Sequence, residues 1–148
     1  MVDPNIITPQ VSTIVDTGAH VPPQPPTTGL NLTWDTLIAA DFANGISFPN
    51  TGREALLVRS TSSSVVTVTA QCGTACSQGY KSPQHDVIGS LAAGNVTPTF
   101  KSLGPFQKSR YNQTVGSISP AANSVLVNFA GDTANVQIAV LSTPLIGD

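Results

Sequence analysis

The chain has 148 residues, 40% of them apolar and only 9% charged, with a formal charge of −2 and a pI near 5.4. An ordinary soluble domain is about 25% charged, and a length of this order supports one core burying about 68–70% of the unfolded surface, so one compact domain with an appendage is expected. The six basic residues (Arg53, Arg59, Lys81, Lys101, Lys108 and Arg110) are dispersed and form no cationic field for nucleic acid. No apolar run approaches the roughly 18 residues of a membrane helix, so no membrane partner is expected. Met1-Val2-Asp3-Pro4 has neither the basic nor the apolar region of a secretory leader, so a soluble protein not exported by the ordinary route is expected. A surface of Ser, Thr, Asn, Gln and small apolar side chains neither repels a copy of itself nor costs much to desolvate, which suits packing against neighbours better than acid–base chemistry.

Six of the twelve prolines fall within the first 26 residues, and no Lys or Arg precedes Arg53. Proline fixes φ and pushes the preceding residue to extended geometry, so Val21-Pro22-Pro23-Gln24-Pro25-Pro26 is expected as polyproline II and residues 1–29 as an extended N-terminal arm. Between its prolines the arm carries Ile6, Ile7, Val11, Ile14, Val15 and Val21, more branched apolar side chains than a solvated linker holds. Together with Pro22, Pro23, Pro25 and Pro26 they form the candidate partner-binding surface, expected to rest on another subunit. Fully extended, such an arm reaches on the order of 90 Å, at about 3.3 Å per residue.

From Leu30 to Asp148 the pattern is that of a β domain. Leu30-Asn31-Leu32-Thr33-Trp34 alternates with period two, and Asp35–Ala40 allows a turn or two of helix. Ala55-Leu56-Leu57-Val58 reads as a central strand, and Val65–Ala70 follows the turn Thr61-Ser62-Ser63-Ser64, so the two are expected to pair as a hairpin. Weaker strands are expected at Val87-Ile88, at Val96–Lys101 on an edge because of Pro98, at Leu103–Phe106 and at Val115–Ile118. Ser124–Phe129 and Asn135–Leu141 are expected as a second hairpin about Gly131-Asp132-Thr133. Seven or eight short strands at regular spacing indicate an all-β fold, an antiparallel β-sandwich of jelly-roll kind.

Catalytic constellations are hard to assemble. Nucleophilic catalysis needs a base oriented by a third group; the imidazoles are His20, in the arm, and His85 beside Asp86, whose side chains would diverge on a strand. Glu54, Asp35, Asp41, Asp86 and Asp132 show no spacing that suggests a carboxylate pair, and Arg53-Glu54 reads as a structural ion pair at a strand start. No phosphate-binding glycine loop is present, and no catalytic residue, cofactor or metal site is expected. Cys72-Gly73-Thr74-Ala75-Cys76 is the sharpest local feature. Cys72 and Cys76 are the candidate disulfide; free thiols, or two thiolates on zinc completed by His85 and His20, are the alternatives. Asn31, Asn95 and Asn112 head glycosylation sequons of the kind that arise by chance in a chain rich in Asn and Thr. Trp34, Tyr80, Tyr111 and the five phenylalanines belong either to the core or to an exposed sugar-stacking platform.

Phe48-Pro49-Asn50-Thr51-Gly52-Arg53-Glu54-Ala55-Leu56-Leu57-Val58-Arg59, followed by a valine–threonine strand, Gly104-Pro105-Phe106 and the closing Val136–Leu141, resembles the small β-sandwich decoration, or cement, proteins of tailed-bacteriophage heads. The resemblance spans roughly residues 40–141. It implies a non-enzymatic virion protein, made in the host bacterial cytoplasm, that binds the major capsid protein on the outer capsid surface. It also implies contact with neighbouring copies of itself, often at local threefold positions. The arm and the loop from Cys72 to Asp86 depart from that pattern. A carbohydrate- or receptor-binding module and a tail or baseplate protein are the competing readings.

Overall fold

The computed structural model describes residues 4–11, 32–73, 87–91, 98–113, 122–131 and 135–142, with only the backbone of Val11 and of residues 87–91. In chain order the elements are β1 (Asn5–Ile6), β2 (Gln10–Val11), β3 (Asp35–Thr36), α1 (Ala39–Asn44), β4 (Ile46–Pro49), β5 (Glu54–Ser60) and β6 (Val66–Ala70). They continue with β7 (Val87–Leu91), β8 (Thr99–Leu103), α2 (Lys108–Tyr111), β9 (Ser124–Gly131) and β10 (Val136–Ser142). A front sheet has the order β1-β4-β9-β6-β7; a back sheet has β2-β10-β5-β8, with β3 sharing β2's edge of β10. Every pairing is antiparallel except those of the first two strands, β1 with β4 and β2 with β10.

Period-two alternation explains the sheets' inner faces. Along β5, Glu54, Leu56, Val58 and Ser60 are buried while Ala55, Leu57 and Arg59 are only half covered; β6 repeats the pattern with Val66, Val68 and Ala70 inside. Ile46, Phe48, Val125, Val127 and Phe129 of the front sheet join Leu56, Val58, Val136, Ile138 and Val140 of the back sheet in one apolar cluster. Phe106 closes one end, its ring 5.7 Å from Phe48 and 5.5 Å from Tyr111. Phe42 on α1 lies 5.7 Å from Phe129.

Neither expected hairpin forms. β5 pairs with β10 and β8, and β6 with β9 and β7, so the links after β5 and after β9 carry the chain from one sheet to the other. Each strand has one apolar face, and crossing between layers turns both faces onto a shared core, where a hairpin would leave them side by side in one layer. The first corner is built from serines. Ser62 N–H donates to Ser60 Oγ at 3.0 Å and Ser64 N–H to Ser62 Oγ at 3.1 Å, with Ser60 and Ser62 each 1% exposed. The second corner lies against the first: Thr61 N–H donates to the Asn135 carbonyl at 3.1 Å, and a Cβ on Gly131 would run into the Val65 carbonyl.

Two shorter expectations also shift. Asp35 and Thr36 pair with Ile138 and Gln137, and Leu37 N–H donates to the Val136 carbonyl at 2.9 Å, so the strand edge takes the residues read as helical. The helix starts after them, at Ala39, where the Asp41 carboxylate accepts from Ile38 N–H at 2.8 Å. Leu32–Trp34, read as a strand, lies just before β3 and forms none. β8 ends at Leu103, so Gly104–Phe106 turns away instead of continuing a strand, through a cis Gly104-Pro105 bond.

Of the N-terminal arm expected over residues 1–29, the structure describes residues 4–11. Residues 4–11 belong to the chain's own sheets: β1 extends the front sheet, β2 the back sheet, and Ile7 is 5% exposed in the core with its N–H donating to the Ser47 carbonyl at 2.7 Å. Parallel addition at open strand edges satisfies backbone groups that would otherwise face water. Thr33 N–H donates to Gln10 Oε1 at 2.8 Å, and Gln10 Nε2 donates to the Thr33 carbonyl at 2.6 Å. This amide clasp fills the step between β2 and β3 along β10. Ile14, Val15, Val21, Pro22, Pro23, Pro25 and Pro26 lie outside the described residues, as does Val115–Ile118.

Candidate functional site: the outer face of the back sheet

The back sheet carries one continuous row on its outer face. Thr36 of β3 is in register with Gln137 of β10, Gln137 with Arg59 of β5, and Arg59 with Phe100 of β8. Trp34, two residues before Thr36, falls on the same side of the chain. Arg59 Nε donates to Gln137 Oε1 at 2.7 Å, and Gln137 Nε2 donates to Thr36 Oγ1 at 3.1 Å. The guanidinium carbon sits 4.2 Å from the Trp34 ring centroid, and Trp34 meets Phe100 edge-on at 6.3 Å and 65°. Phe100 is 63% exposed. Beside the row lies an open depression of about 420 Å³ lined by Thr36, Arg59, Thr61, Pro98, Asn135 and Gln137. A second, of about 480 Å³, shares Thr36 and runs along Asn5–Thr8 and Gln10.

The segment that carries the phage-head resemblance forms β4, a turn and β5, crossing from the front sheet to the back. Asn50 holds the turn: its Oδ1 accepts from Gly52 N–H at 3.0 Å, and its Nδ2 donates to the Phe106 carbonyl at 3.1 Å and to Asn112 Oδ1 at 2.6 Å. Glu54 is 2% exposed. Its donors are neutral, where adjacency in sequence suggested an ion pair with Arg53. Thr51 N–H (2.6 Å) and Arg53 N–H (3.1 Å) reach Oε2, while the hydroxyls of Thr51 (2.8 Å) and Ser142 (3.2 Å) reach Oε1. Burial pushes the carboxyl's pKa up, but the hydrogen bonds from Thr51, Arg53 and its own backbone together outweigh it and hold the group below the ordinary glutamate value. These residues set the crossing and leave the outer face to other side chains.

The chain matches no family model, no curated protein and no solved structure. Its chemistry is therefore read from the residues themselves. Of the candidate arm residues, Ile7 is buried in the chain's own core while Ile6, 66% exposed, borders the second depression. Cys72 is buried, with Sγ donating to the Arg110 carbonyl at 3.2 Å; Cys76, His20, His85, Asp86 and Tyr80 lie outside the described residues. Among the described residues no three His, Cys, Asp or Glu side chains cluster as metal ligands, and no helix is long and apolar enough to cross a membrane. Asn112, the head of a sequon, has its amide engaged with Asn50, its Nδ2 donating to the Asn50 carbonyl at 3.4 Å. Tyr111 is buried with Phe48, Phe106 and Phe129, so among the aromatics considered for a platform it is Trp34 and Phe100 that lie on the outer face.

Sequence reading missed Arg59, Gln137 and Thr36 as a group, because they are brought together across separations of 78 and 101 residues. The available signal was the outward phase of each strand: an arginine, a glutamine and a phenylalanine stand where a solvated face needs only Ser or Thr. The row offers a ligand hydroxyl and amide groups, two aromatic rings and the planar fork of donors of a guanidinium.

Proposed function

We propose that this chain is a structural virion protein, a jelly-roll-like β-sandwich that binds the outer surface of a tailed-phage capsid and cements neighbouring capsomers. Its partners are the major capsid protein and neighbouring copies of itself. The sequence resemblance over residues 48–59 supports this reading, as does a surface with so few charges that close packing of many copies meets little repulsion or desolvation cost.

The observation that carries the proposal is the clasp between Gln10 and Thr33, with β2 and β3 side by side on one edge of β10. On this reading residues 12–31, whose sequence is apolar and proline-rich and suits lying on a neighbour, serve as a strap between the two held residues. Ordering a strap costs about 1–2 kcal/mol per residue in backbone entropy, less where proline has already restricted the chain. Pinned feet and repeated copies on a shell lower the cost per contact by raising effective concentration.

The test replaces residues 13–30 with a short Gly-Ser turn, which the adjacent feet accommodate, and measures co-sedimentation with capsids of the phage that carries the sequence. The full chain is expected to pellet with capsids and the excised variant to fold but pellet poorly. Undiminished pelleting of the excised variant would remove the strap from the mechanism, and a full chain that stays in solution would overturn the capsid reading.

A further inference from the structure

We propose that the depression beside Arg59 on the outer face of the back sheet is a binding site for a saccharide that carries a carboxylate, such as a uronic-acid-containing glycan.

Arg59 has a half-buried stem and a head held on two sides, Nε by Gln137 at 2.7 Å and the guanidinium face by Trp34 at 4.2 Å, and Gln137 is itself held by Thr36. Fixing a long side chain in this way costs rotamer freedom. It contributes nothing to the core, from which the row is separated by the sheet. What the arrangement leaves is a terminal fork of N–H donors bordering the depression, the geometry that receives a carboxylate in two parallel hydrogen bonds.

The rest of the lining fits a polyhydroxylated ligand. Thr36, Thr61, Asn135 and Gln137 offer hydroxyl and amide groups that both donate and accept, and among the described lining residues Pro98 is the single apolar member and Arg59 the only charged one. A volume of about 420 Å³ lies within the usual range of roughly 300–1,000 Å³ for small-ligand sites. Outside the lining itself, Phe100 is exposed in register with Arg59 and would offer its ring to the C–H face of a sugar that extends past the guanidinium, while one face of Trp34 is covered by Arg59. A bare anion would leave these groups unused, and a neutral sugar would leave the guanidinium unpaired. A ring that presents hydroxyls, C–H groups and a carboxylate engages all three.

Trp34 is the only tryptophan and stacks on Arg59, so its fluorescence responds to a ligand on that guanidinium. The full chain is titrated with oligogalacturonate, with the neutral galactose oligomer of equal length, with acetate and with a short peptide bearing a free C-terminal carboxylate, each followed by fluorescence and by calorimetry. Saturable binding of oligogalacturonate is expected, at least about tenfold tighter than the neutral oligomer, because a desolvated charge-assisted pair discriminates by this order. Arg59→Lys, which keeps the charge but loses the fork and the stacking, should weaken that binding at least about tenfold with an unchanged far-UV circular dichroism spectrum. Phe100→Ser, at an exposed position that leaves the fold intact, should weaken it as well. Equal affinity for acidic and neutral oligomers, acetate or peptide binding as tightly as the oligouronate, no binding at millimolar ligand, or full affinity in Arg59→Lys would each overturn the proposal.

Discussion

Replacing Glu54 by glutamine isolates what the carboxylate does at the crossing from front to back sheet. Two backbone amides reach Oε2 at 2.6 and 3.1 Å, and two hydroxyls reach Oε1 at 2.8 and 3.2 Å. Glutamine keeps one carbonyl oxygen for the Thr51 and Arg53 amides and turns its NH₂ toward the hydroxyls, which have lone pairs to accept it. The backbone amides keep an acceptor while the two hydroxyls turn from donors into acceptors, so all four charge-assisted bonds become neutral, a loss offset in part because a neutral amide costs less to bury than a carboxylate. Hydrogen bonds to charged groups contribute about 1.5–3 kcal/mol and neutral ones about 0.5–1.5 kcal/mol, so Glu54→Gln should cost about 1–2 kcal/mol. Glu54→Ala, which strands every donor and opens a void, should cost about 3 kcal/mol or more. At about 3–4 °C per kcal/mol for a chain of this size, the glutamine variant melts roughly 3–8 °C lower.

The pH dependence gives a second, independent reading of the same group. The folded pKa lies below the unfolded one, so as pH falls the unfolded state takes up the proton first. The stabilisation is therefore complete above the ordinary glutamate range, near pH 4.3 in unfolded chains, and is lost as pH drops through the lowered folded value. Denaturant unfolding at a series of pH values should show this loss in the wild type and a shallower slope in Glu54→Gln. A glutamine variant as stable as the wild type at neutral pH, or with the same acid slope, would refute the reasoning.

Gln10→Ala removes both bonds of the clasp at an exposed site, so hydrogen exchange at the Thr33 amide should accelerate while global stability falls by only about 0.5–1.5 kcal/mol. Phe106→Ala should cost about 3–5 kcal/mol in chemical denaturation because the ring is fully buried between Phe48 and Tyr111, whereas Phe100→Ser should stay within about 0.5 kcal/mol. Gly45→Ala should destabilise by about 2–4 kcal/mol, since φ is +79° and the new Cβ would meet Asn128 Oδ1 at 2.5 Å and the Val127 carbonyl at 2.8 Å.

Strand identity was legible where burial is one-sided. The alternation of Glu54–Ser60 and Val66–Ala70, and the edge position of β8 inferred from Pro98, come from local chemistry that the sheet pairing preserves. Strand partnership was not legible. The serine-rich link of residues 61–65 is compatible with a hairpin or a crossing, and the choice is made by which apolar face finds the core. The 1% exposure of Ser60 and Ser62 reflects a corner whose hydroxyls bond its own amides, a role that sequence composition does not distinguish from an exposed turn. The proline count likewise hid the place of residues 4–11 in the fold: Pro4 and Pro9 lie beside two-residue strands at sheet edges, where a missing N–H is tolerated. Trp34 and Phe100 could not be sorted from core aromatics without the register that sets Phe100 opposite Arg59.

The most direct test of the cement role is heat-induced DNA release from phage heads prepared with and without the bound chain. The account predicts that heads carrying the full chain retain DNA to a higher temperature, with the variant lacking residues 13–30 giving little protection. Release at the same temperature from heads saturated with the full chain and from bare heads would contradict it.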